Sequence, residues 1–69
     1  MRVQLSDPSY LQDLILALLR GDCLATPTGL DTLVVVHPWA RDDEEARTEL
    51  LFFLRAWQAR HPQIGVELA

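Results

Sequence analysis

The chain contains no lysine. Its positive charge comes from six arginines, Arg2, Arg20, Arg41, Arg47, Arg55 and Arg60, scattered along its length. Ten acidic residues outweigh them and leave a formal net charge of -4, with a pI of about 4.8. Phosphate backbones and anionic membranes are gripped by clustered Lys and Arg. Neither nucleic acid nor a membrane surface is therefore expected as a partner. Cysteine is as scarce. Cys23 stands alone, which excludes an internal disulfide and a cysteine-rich zinc site. A reducing, cytoplasmic setting is the expectation. The longest apolar run, "LILALL", is far short of the roughly 20 residues that cross a bilayer. "MRVQLSDPSY" has no basic-then-apolar layout of a secretory leader.

What is present is a dense supply of core residues. Of 69 residues, 49% are hydrophobic, and low-complexity segments are absent. A folded domain follows, and the length suits one domain, residues 1–69. So small a domain buries only about 60% of its unfolded surface. Some of its apolar surface is expected to remain free for a partner.

The periodicities predict six elements. "MRVQLS" alternates apolar Val3 and Leu5 with polar neighbours, the period of a half-buried strand. Asp7 and Pro8 then suit the start of a helix over residues 8–20. Leu11, Leu14, Ile15 and Leu18 form its apolar stripe, with Tyr10 and Leu19 flanking it. Gly21 is positioned for a left-handed C-terminal cap. Strands are expected over Cys23–Thr26 and Thr32–His37, joined by the turn-forming "PTGLD". The β-branched Val34-Val35-Val36 run favours a central strand. A second helix is predicted from about Asp42 to about Arg60, opening with a D-x-x-E capping box at Asp42 and Glu45. Ala46, Leu50, Phe53, Leu54 and Trp57 form its buried stripe, and Asp43 and Arg47 an i,i+4 pair. "IGVELA" reads as a last strand.

The resulting order, β-α-β-β-α-β, resembles the ferredoxin-like architecture. It implies an α+β fold: a four-stranded antiparallel sheet in the order 4-1-3-2 with both helices on one face. The resemblance covers nearly the whole chain and is one of pattern. Motifs separate families of this shape. Heavy-metal-associated domains carry Cys-x-x-Cys after the first strand, where this chain has "LSDPSY". RNA-recognition domains place aromatics on the central strands, and "VQL" and "LVVV" have none. Amino-acid-binding ACT domains share the layout but usually have a glycine near the first strand-to-helix turn, which "SDPS" does not supply.

This architecture places Cys23, His37 and Trp39 at one end of the sheet and Asp7 at the other. Cys23 and His37 are then the candidates for a thiolate–imidazole pair, with Asp22 orienting the ring. No motif for an oxyanion hole accompanies them. His37, Asp42, Asp43 and Asp22 are too loosely spaced for a metal site, and capping and dipole complement account for "DDEE". No cofactor is expected. Trp39 is expected to fold back over the core; left exposed, it would anchor a partner. The third strand must present one apolar row, Val34 and Val36 or Leu33 and Val35, on the open face of the sheet, beside polar Arg2, Gln4 and Glu67. An apolar row with a polar rim suits association of two copies. The expected function is thus a non-catalytic association module, homodimerising through the open sheet face or an edge strand. An ACT-like domain binding a small ligand is the alternative, and an enzyme using Cys23 and His37 ranks third.

Overall fold

The computed structural model describes residues 1–69. Strand β1 spans Arg2–Leu5, helix α1 Leu11–Arg20, β2 Leu24–Pro27, β3 Thr32–Val36, helix α2 Asp43–Arg60 and β4 Val66–Leu68. All strand pairs are antiparallel, in the order β2-β3-β1-β4. The expected sheet is therefore present, with both helices contributing to one core.

The first helix begins differently from its pattern. Pro8–Tyr10 form a 3-10 turn, and α-helical geometry starts at Leu11. Asp7 explains the tight start. Its carboxylate accepts from the Ser9 backbone N–H at 3.0 Å and the Ser9 hydroxyl at 2.8 Å, which draws the chain into a short turn rather than a full helical one. The helix ends at Gly21, but Gly21 has φ -90°. The left-handed residue is Asp22, with φ 63°, a conformation that Asp tolerates better than most side chains. Gly21 instead sits close against the ring of Phe53. A Cβ there would lie 3.2 Å from Cε2 of Phe53.

Asp42 caps α2 by accepting the Glu45 N–H at 2.7 Å. Only half of the capping box forms, because the Glu45 carboxylate turns outward to Arg41 Nε at 2.7 Å. That Arg41–Glu45 contact is the i,i+4 pair of this helix start, in place of Asp43–Arg47.

The β2–β3 hairpin closes around Gly29, with Thr28 N–H donating to Thr32 O at 2.9 Å. Leu24 faces Val36, Ala25 faces Val35 and Thr26 faces Val34. The period of two now assigns the rows. Leu33 and Val35 are fully buried against the helices. They join Val3 and Leu5 of β1, Leu11, Leu14, Ile15 and Leu18 of α1, and Leu50, Leu54 and Trp57 of α2 in one cluster. Each such aliphatic side chain contributes about 2 kcal/mol by leaving water. The chain ends are tied into the sheet. Met1 exchanges backbone hydrogen bonds with Val35, and Ala69 N–H donates to Arg2 O at 2.9 Å.

Candidate functional site

The open face of the sheet carries the residues that point away from the helices. Following the register, these are Leu24 and Thr26 of β2, Thr32, Val34 and Val36 of β3, Arg2 and Gln4 of β1, and Glu67 of β4. Apolar groups gather at one corner. Leu24 is 57% exposed and Val36, directly opposite, 51%; Val34 is half-buried beside them. The rest of the face is polar, with Arg2 and Glu67 of opposite charge. Leu24 was not singled out by the sequence pattern. It could have been: counting outward from the Gly29–Leu30 turn pairs it with Val36.

The five candidate residues fall into three places. Val34 and Val36 lie on the open face. Cys23 and His37 fall on the helix side, at the end of the same hairpin. Trp39 stands in the loop beyond them and is 76% exposed, not folded over the core as expected. The reason lies in its neighbours. His37 turns inward and its Nε2 meets a carboxylate oxygen of Glu49 on α2, so the imidazole rather than the indole covers this end of the core. His37 Nδ1 is buried without a partner.

Cys23 is buried, and its thiol directs its weak hydrogen bond to Gly21 O at 3.8 Å. It makes no hydrogen bond with His37. Burial raises the thiol pKa above its ordinary 9.0, and the Glu49 and Asp22 carboxylates push it further. The thiol is therefore protonated at neutral pH, whereas nucleophilic cysteine chemistry runs through the thiolate. Asp22 thus acts on Cys23 as a nearby negative charge rather than orienting an imidazole. No group of three or more His, Cys, Asp or Glu side chains is arranged to hold a metal ion.

Beside this corner lies a shallow cleft of about 600 Å³, bounded by Met1, Val36, His37, Ala40, Asp43 and Arg47. Val36 borders both the cleft and the apolar corner. At the opposite end of the domain, His61 stacks on Trp57 with centroids 4.2 Å apart, and Tyr10 meets both rings edge-on. His61 Nδ1 lies 3.0 Å from Trp57 O, so this ring closes the carboxyl end of α2 and covers the buried indole. No known family matches this chain, and neither does any curated protein or solved structure. No helix is long and apolar enough to cross a membrane.

Proposed function

We propose that this chain is a non-catalytic association module that pairs with a second copy of itself through the open face of its sheet. The arrangement of strands and helices is read as ferredoxin-like. The observation that carries the reading is the corner formed by Leu24, Val34 and Val36, apolar and uncovered on a face whose remainder is polar. A two-fold axis through such a face stacks the apolar corner of one copy on that of the other. Arg2 and Glu67 lie on the same face, so the surface carries both signs of charge. Edge pairing is a poorer route. β4 has only three residues and β2 ends in Pro27, and short or proline-bearing edges resist extension. The lone buried thiol of Cys23 suits a reducing compartment.

Sedimentation velocity over a concentration series tests the reading. The protein should dimerise by high micromolar concentration, and Leu24→Lys and Val36→Lys should each return it to monomer. Phe52 is 80% exposed on α2, away from the sheet face, and Phe52→Ser should leave the dimer intact. A monomer at every concentration, or a dimer lost only with Phe52→Ser, overturns the proposal.

The cleft of about 600 Å³ beside Val36 supports a second reading, an ACT-like regulatory domain with a small ligand at the dimer seam. A thermal-shift screen of amino acids and nucleotides tests it, since a ligand bound only by the folded state raises the melting temperature. An unmoved transition across the screen rejects it.

A further inference from the structure

Arg20 closes α1 and Arg60 closes α2. Each complements the carbonyl end of its own helix, which explains a basic residue in each last turn. It does not explain why the two residues line the same surface hollows. Both border the same two adjoining hollows between the helices, of about 210 and 170 Å³, and Ala17 and Trp57 line both hollows with them. Asp13 and His61 close one end.

The ion pairs of the structure are made by His37, Arg41 and His61. Neither Arg20 nor Arg60 takes part in one. Asp13, the one carboxylate on the rim, faces His61 at 3.6 Å. In a chain with an excess of acid, two guanidinium groups without an ion-pair partner therefore border one groove, and their like charges suit an anion. A guanidinium offers a planar fork of donors that matches a carboxylate. Ala17 and the covered indole of Trp57 give the groove an apolar floor.

We propose that the α1–α2 groove is a binding site for a small dicarboxylate, with one carboxylate on Arg20, the other on Arg60, and the carbon body over Ala17 and Trp57. The groove lies on the helical side, opposite the sheet face, so the site is independent of self-association.

Titration with succinate at low ionic strength, followed by amide and side-chain NMR shifts, tests it. Saturable shifts are expected at Ala17, Arg20, Arg60 and the Trp57 indole. Arg20→Gln and Arg60→Gln, both exposed and therefore tolerated by the fold, should each weaken binding about fivefold or more through loss of a charge-assisted hydrogen bond. Arg55→Gln should have no effect. Acetate should bind about tenfold more weakly or worse, because a second, tethered carboxylate adds a second contact in the same groove. Shifts reproduced by sodium chloride of equal ionic strength, acetate equal to succinate, or affinity unchanged in both Arg20→Gln and Arg60→Gln would each overturn the proposal.

Discussion

Trp39 and Trp57 show how far residue type alone determines a role. Both belong to the bulkiest side-chain class, yet Trp57 is 5% exposed within the core and Trp39 stands 76% in solvent. Trp57→Ala should cost about 3–5 kcal/mol, as truncating a buried aromatic does, whereas Trp39→Ala should stay within about 0.5 kcal/mol; urea unfolding separates the two. The helical stripe made Trp57 legible in the sequence. Trp39 was not, because its fate depended on His37 finding Glu49, a contact between residues on different elements that no local pattern encodes.

Two titrating residues give pH predictions of opposite sign. Asp7 has its pKa lowered below 3.8 by the Ser9 hydroxyl and then by the Ser9 backbone N–H. Its contribution is therefore present above that value and lost as pH falls through the folded-state pKa. Ser9→Ala should bring the Asp7 carboxyl back toward its ordinary value in an NMR titration. Cys23 behaves in reverse. Its raised pKa means that stability is intact below 9.0 and declines as pH rises above it, since the unfolded chain releases a proton that the folded one retains. Comparing the alkaline unfolding profile with that of Cys23→Ala isolates this slope, which should be absent from the variant.

Among the elements, the turns and caps decide where the periodic segments begin and end. Asp42 supplies one acceptor to the four orphan N–H groups of α2, and Asp42→Ala should destabilise the domain by about 1 kcal/mol, read as a lower denaturation midpoint. The four strands and two α-helices were visible in the sequence; the 3-10 turn at Pro8–Tyr10 was not. The ends of the elements were less visible. Asp7 bonding to Ser9 converted the predicted first helical turn into a 3-10 turn. The left-handed residue fell on Asp22 rather than on Gly21. The choice between the two apolar rows of β3 was likewise hidden. A run of three valines alternates equally well in either sense, and only pairing with β1, where Val3 and Leu5 are unambiguous, makes Leu33 and Val35 the inner row. The open-face corner was therefore half legible: Val34 and Val36 were candidates, while Leu24 required the hairpin register.

Taken whole, the domain is two layers thick, with helices over one side of the sheet and nothing from the same chain over the other. That asymmetry ties self-association to stability. If two copies stack their sheets, unfolding must also separate them, so the melting temperature should climb with protein concentration and do so less for Val36→Lys. Calorimetry at two concentrations reads this directly.

The strand order also bears on how the molecule comes into being. β1 precedes the other three strands in the chain, yet its two neighbours are β3 and β4, so it gains its first partner only with β3 and its second only with β4. Until Thr32–Val36 is made, Val3 and Leu5 have no strand to pair with. α1, whose interactions are local, can form while β1 waits. The central strand closes on both sides only when Val66–Leu68 arrives, which makes the shortest strand of the sheet the one that completes it.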